Sequence, residues 1–134
     1  MVSFLEGPSL LPELEDNYFH PNVSSQKASL YEHCARALDQ SLKLGRHGLP
    51  LMGGGDWNDG MNLVGIKGQG ESVWLAWFLI DNLKNFAKLA AGRGDEDRAT
   101  KWKEHATQLA ESTEKNSWDG SWYRRAYFDD GTPL

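Results

Sequence analysis

The sequence predicts an all-α chain of three helices joined by long, shaped loops. Three observations carry this. Apolar residues recur at helical spacing in 25–44 and 95–115, residues 73–80 are apolar on every side, and glycines crowd into one stretch between the first two helices. The 134 residues allow one domain at most, with a modest core.

The stretch 1–23 reads as an irregular arm. Pro8, Pro12 and Pro21 break helices, while Phe4, Leu5, Leu10, Leu11, Leu14, Tyr18 and Phe19 give it enough apolar surface to pack against something. The first helix is expected over 25–44, capped by Ser24 or Ser25. Its stripe is Leu30, Tyr31, Cys34, Ala35, Leu38 and Leu42, with Lys43 favourable at its end and Gly45 as its stop. The second is expected over 71–91, with Glu71 and Ser72 at its start and Gly92 at its end. Its first half, Val73 to Ile80, reads as buried on all sides. The third is expected over 95–115, with Asp95, Glu96 and Asp97 in the first turn and Ala99, Trp102, Ala106 and Leu109 as its apolar stripe. The short link Gly92-Arg93-Gly94 makes helices two and three antiparallel neighbours. A helix apolar all round needs more cover than two partners supply. The chain is therefore expected to be a piece of a larger helical domain, or to oligomerise.

Composition excludes several classes. With 14 Lys+Arg against 19 Asp+Glu, the net charge of -5 argues against a nucleic-acid backbone binder. One cysteine, Cys34, leaves no internal disulfide and fits a reducing, cytoplasmic setting. No apolar run spans a bilayer, and the N-terminus has no basic segment of the kind that opens a secretory signal. His20, His33, His47 and His105 lack metal-ligand spacing, so no metal is expected, and each reads as a surface or satisfied histidine.

The chemistry concentrates in two loops, 46–70 and 116–134. The first holds Gly53-Gly54-Gly55-Asp56-Trp57-Asn58-Asp59-Gly60. Glycines let backbone approach a ligand, Trp57 offers a flat apolar platform, and Asp56 and Asp59 are paired carboxylates. That set suits a sugar and the acid–base work of glycosyl transfer. The plainer reading is a turn in which Asp and Asn bond their own backbone. A calcium loop fails because Gly60 stands at the fifth position from Asp56, and a phosphate loop fails for want of Gly-Lys-Ser/Thr. In the second loop, Arg124 and Arg125 either bind an anion or form surface ion pairs. Glu71 either reaches the site or caps its helix.

Three spaced motifs carry a family resemblance: GLPLMGGGDWNDGMN, GQGESVWLAWFL and WDGSWYRRAYFDDGTPL. The chain resembles glycoside hydrolase family 94, the inverting sugar phosphorylases, and is most similar to the branch containing the C-terminal domain of cyclic β-1,2-glucan synthase. The resemblance implies an (α/α)6 barrel of about twelve helices. It implies reversible phosphorolysis of a β-glucan, β-1,2-linked by the branch. Inorganic phosphate is then the co-substrate, and no cofactor is involved. It makes Asp59 the general acid and Trp57 a sugar contact, with Asp56, Asn58, Arg124, Arg125 and Glu71 as candidate substrate-binding residues. An acid form of Asp59 near neutral pH fits burial beside Trp57 and nearby negative charge. Family chains are several times longer, so the isolated 134 residues are expected to be inactive without the rest of the barrel or an oligomer partner. The alternatives are a carbohydrate-binding fragment stacking sugars on Trp57, Trp118 and Trp122, and a remnant with no stable fold.

Overall fold

The computed structural model describes residues 1–7, 20–53 and 60–134. They form two compact units, Met1–Ala37 and Leu38–Leu134. Three helices dominate, but two small antiparallel sheets stand beside them, so the chain is not all-α.

In the first unit, β1 (Val2–Glu6) pairs with β2 (Asn22–Ala28), in the register Val2↔Ala28 and Glu6↔Asn22. This corrects the reading of residues 2–6 and 22–23 as irregular and of 25–28 as helix; Leu10, Leu11, Leu14, Tyr18 and Phe19 of the expected arm lie outside the described residues. The helical stripe begins only at Leu30, and upstream of it main-chain pairing between the two segments sets the strand. The helix α1 (Leu30–Gln40) starts five residues later than expected, because Ser29 rather than Ser24 or Ser25 accepts the Glu32 N–H at 3.2 Å. It also ends before Lys43 and Gly45. The next residues turn, and Leu44 bridges to Pro50 instead of extending the helix. Phe4 stacks on His33 at 3.9 Å and lies under Arg36 at 4.5 Å, which fastens the sheet to α1.

In the second unit, α2 (Val73–Gly92) and α3 (Glu96–Ser117) form a hairpin. Their starts are capped by Ser72, accepting from the Leu75 N–H, and Asp95, accepting from the Arg98 N–H. Each cap contributes about 1 kcal/mol. Gly94 takes φ +78 in the link, a left-handed conformation that a side chain would strain. The buried residues recur at helical spacing: Ala76, Leu79, Ile80, Leu83, Ala87 and Ala90 on α2, and Ala99, Trp102, Ala106 and Leu109 on α3. The first half of α2 is not buried on every side by the described residues. Trp77 and Phe78 are 39% and 51% exposed, since α3 and the short β4 (Ala126–Tyr127) cannot cover the whole circumference.

Trp102 ties the hairpin to the preceding chain. It is fully buried, its edge meets Phe86, and its Nε1 donates to Asp39 at 3.0 Å. Burial alone would raise the Asp39 pKa, but bonds from Trp102, Lys101 and Arg98 outweigh it and hold the carboxyl below its ordinary value. Trp102→Ala should destabilise the unit by about 3–5 kcal/mol, read as a fall in the urea midpoint, because it leaves a cavity and unties Asp39 together.

Candidate functional site

The glycine-rich loop begins and ends on a small β arrangement. Leu51 bridges Glu71, the Met52 N–H donates to the Gly70 carbonyl at 3.0 Å, and Ser72 N–H donates to Pro50 at 3.0 Å. The next strand over comes from the C-terminal loop: β3 (Glu71–Ser72) pairs with β4 in the register Glu71↔Tyr127 and Ser72↔Ala126. The two loops singled out from the sequence are thus joined by main-chain bonds.

The outgoing and returning backbones touch at a neck of glycines. A Cβ on Gly65 would lie 2.8 Å from the Gly53 carbonyl oxygen, and one on Gly70 would lie 2.5 Å from the Gly65 Cα. No other residue fits this approach. Beside the neck, Met52, Val64 and Ala126 are buried together, with Met61, Leu75 and Phe128 packed on them. Asp56, Trp57, Asn58 and Asp59 lie outside the described residues.

Two carboxylates hold the ends of the loop. Asp129 accepts N–H bonds from Lys67, Gln69 and Gly70 at 2.9, 2.8 and 3.0 Å. The Lys67 bond, against partial desolvation and with help from the other two, holds its pKa below the ordinary 3.8. A depressed folded-state value means the bonds favour the charged form. Their contribution is complete above the ordinary value and is lost as pH falls through the folded one. Hydrogen exchange should show the amides of Lys67, Gln69 and Gly70 still protected as pH falls through the ordinary carboxylate value and released only below it, as Asp129 protonates. Asp129→Asn should lower that protection and erase the pH step. Arg46 adds bonds to the Asp130 and Asp129 carbonyls at 2.8 and 3.2 Å.

Glu71 holds the other end. Its side chain is 1% exposed and accepts from the His47 and Leu49 N–H groups at 3.0 and 3.1 Å. The Nδ1 of His47 lies 2.5 Å from the other carboxylate oxygen. Ser72 alone caps α2, which leaves Glu71 to the loop. His47 is held by two further contacts, which a third bond links to each other. Its ring stacks on Tyr127 at 3.8 Å, its carbonyl accepts from Asn116 at 2.6 Å, and the Tyr127 hydroxyl donates to the Asn116 carbonyl. Arg124 donates to that carbonyl at 3.1 Å and to the Tyr127 hydroxyl at 3.0 Å. The structure therefore links Glu71 and Arg124 through His47 and Tyr127. The Arg125 main chain accepts from Val73 and donates to Leu134.

Sequence reasoning missed His47, Arg46, Tyr127 and Asp129 as parts of one frame. The only signal was Asp-Gly turn chemistry at 130–131, and the partners stand some 60 residues away. Among the described residues, no cluster of His, Cys, Asp and Glu suits a metal, and no helix is long and apolar enough to cross a membrane.

The sequence pattern of the glycosyl hydrolase 94 superfamily catalytic domain matches residues 15–134. The chain belongs to that family. It is 48% identical over 134 residues to the cyclic beta-(1,2)-glucan synthase NdvB of Rhizobium meliloti, a match that covers 99% of this chain and 5% of the synthase. It is 39% identical over 112 residues to the 3-O-beta-D-glucopyranosyl-beta-D-glucuronide phosphorylase of Paenibacillus borealis, covering 83% of this chain and 15% of that enzyme. It is 33% identical over 117 residues to the N,N'-diacetylchitobiose phosphorylase of Vibrio proteolyticus, covering 85% of this chain and 14% of that enzyme. The chain thus spans a small part of the length of each of these relatives.

Proposed function

We propose that these residues form the acid-bearing part of an (α/α)6 catalytic domain that performs inverting phosphorolysis or glycosyl transfer on β-glucans, with β-1,2-glucan as the substrate. The observation that carries this is the family match across 15–134, with Asp56-Trp57-Asn58-Asp59 inside it. The 48% identity to a cyclic β-1,2-glucan synthase supports the linkage.

In this reading a phosphate oxygen attacks the anomeric carbon from the face opposite the β-linked leaving group. The glycosidic C–O bond breaks, and Asp59 gives its proton to the departing oxygen. The product is an α-sugar 1-phosphate. Phosphate takes the place of the activated water of an inverting hydrolase, so no second carboxylate base is needed. Trp57 stacks on the sugar, while Asp56 and Asn58 bond its hydroxyls. Glu71 and Arg124 serve the site as supports, because both Glu71 oxygens and the Nη1 of Arg124 bond within the loop frame. Arg125 remains a candidate anion ligand. No organic cofactor takes part.

Exposed Trp77 and Phe78 support a core completed by further helices of the same domain. The test is direct. The complete domain, incubated with β-1,2-glucan and inorganic phosphate, should release α-glucose 1-phosphate by phosphorus NMR, and the isolated 134 residues should release none. Glucan binding without turnover in the complete domain would favour the carbohydrate-binding reading, in which Trp118 and the 77% exposed Trp122 act as platforms.

A further inference from the structure

The turn that follows α3 displays aromatic rings to solvent. Trp122 is 77% exposed, and Trp118 and Tyr123 are each 45% exposed. The turn that carries them is tied. Trp118 bridges to Tyr123, and their rings meet edge-on at 5.0 Å. Between them the Asp119 N–H donates to the Trp122 carbonyl at 3.0 Å. One Asp119 carboxylate oxygen accepts the Ser121 and Trp122 N–H groups, each at 2.8 Å. Gly120 closes the turn at φ +105. Trp77 of α2 meets the Tyr123 ring edge-on at 5.5 Å, and the Tyr123 hydroxyl donates to the Glu114 carboxylate.

The groups around the rings decide what they suit. Glu114 and Asp119 are exposed carboxylates. An apolar protein surface pressed on the rings would strip water from both and offer nothing in return. Nucleic-acid bases also stack on aromatic rings, but their phosphates would meet these two charges on a chain of net charge -5. Arg124 attracts Asp119, yet its Nη1 is given to the Asn116 carbonyl and the Tyr127 hydroxyl. A neutral sugar chain fits both features. Its C–H faces lie on the rings, and its hydroxyls donate to lone pairs that the Tyr123 hydroxyl and the turn amides leave open.

Position supports the same ligand. The end of α3 lies beside the start of α2: Asn116 bonds the His47 carbonyl, and β4, just past the turn, pairs with β3. The turn and the neck at Gly65 and Gly70 therefore stand at one end of the helix pair.

We propose that the turn 118–123 is a second, non-catalytic binding site for a β-glucan chain, stacked on Trp122 and Trp118 and hydrogen-bonded through Glu114 and Asp119. The choice of glucan rests on the phosphorylase reading above. The site breaks no bond. It favours long chains, because a long chain gains a second attachment, whereas a disaccharide is too short to occupy two sites.

The experiment uses the complete domain with Trp122→Ala, Trp118→Ala and, as the conservative variant, Trp122→Phe. Without phosphate, the affinity for long linear β-1,2-glucan should fall about 10-fold in each alanine variant and stay within about twofold in Trp122→Phe. With phosphate, KM for the long glucan should rise by the same factor, while kcat and the KM for the β-1,2-linked disaccharide hold. N-bromosuccinimide, which oxidises accessible indoles, should modify Trp118 and Trp122 in the free domain, and long glucan should protect both, as read by peptide mass. Rings that the reagent never reaches are covered by the rest of the domain, and that result overturns the proposal. So do unchanged glucan affinity in the alanine variants and equal losses on long and short substrates. Glucan protection of both rings in a domain that releases no sugar 1-phosphate upholds the site and overturns the phosphorylase reading instead.

Discussion

Replacing Asp59 with asparagine is expected to lower sugar 1-phosphate release from β-1,2-glucan by about 10²–10⁴-fold, the range that a positioned general acid supplies. An amide of the same size keeps its hydrogen bonds to neighbours but has no transferable proton. The loss should therefore fall on kcat, with glucan binding preserved. Turnover of β-glucosyl fluoride should survive. The pH profile gives a second reading of the same group. An acid must be protonated to act, so wild-type phosphorolysis should fall as pH rises through the pKa of Asp59. That basic limb should vanish from whatever activity Asp59→Asn retains. A variant with full activity and an unchanged basic limb would remove Asp59 from the reaction.

Gly70→Ala is expected to have the largest effect among changes that add one carbon. Its Cβ would meet Gly65 Cα at 2.5 Å, the Val64 carbonyl oxygen at 2.8 Å and the Gly65 nitrogen at 2.9 Å. All three are main-chain atoms, so no side chain can swing away. The neck must open, and two bonds made by Gly70 itself suffer: its carbonyl to the Met52 N–H and its own N–H to Asp129. Overpacking of this kind costs about 1–3 kcal/mol. The loss of glucan turnover should exceed what that destabilisation explains, because the loop ends move apart. Gly92→Ala is the control. Nothing lies within 4 Å of a Cβ there, and the residue ends α2, so its melting temperature should hold or rise slightly. Equal effects from the two substitutions would mean that the neck is not a constraint.

The helices were legible because their signals are local. The apolar stripe of α3, the Ser72 and Asp95 caps and the Gly94 turn each need only a few neighbouring residues. The start of α1 and the strands β1 and β2 were not, since Ser24 to Ala28 can satisfy their main-chain groups either in a helix or against Val2–Glu6. Only the presence of a partner segment decides between those outcomes. The glycine-rich loop stood out from composition. The Trp57 platform and the Asp56 and Asp59 carboxylates were read from residue chemistry, the general-acid role expected of Asp59 came from the family resemblance, and all three lie outside the described residues. Glu71 was read as either a site residue or a helix cap; Ser72 caps α2, and the Glu71 oxygens accept from the main chain of residues 47 and 49.

The chain itself determined the helical hairpin, the polar glycine loop and the family, because spacing, capping and motifs are written in contiguous residues. Only the tertiary structure decided who holds that loop. A buried carboxylate at 71 and a partly exposed one at 129 find their donors across 22 to 62 positions of sequence, and such pairs exist only once α2, α3 and β4 have packed. Burial then turns Glu71 into a clamp, since a carboxylate shielded from water must take its hydrogen bonds from the groups that surround it, while Asp129 holds the loop by accepting three of its N–H groups.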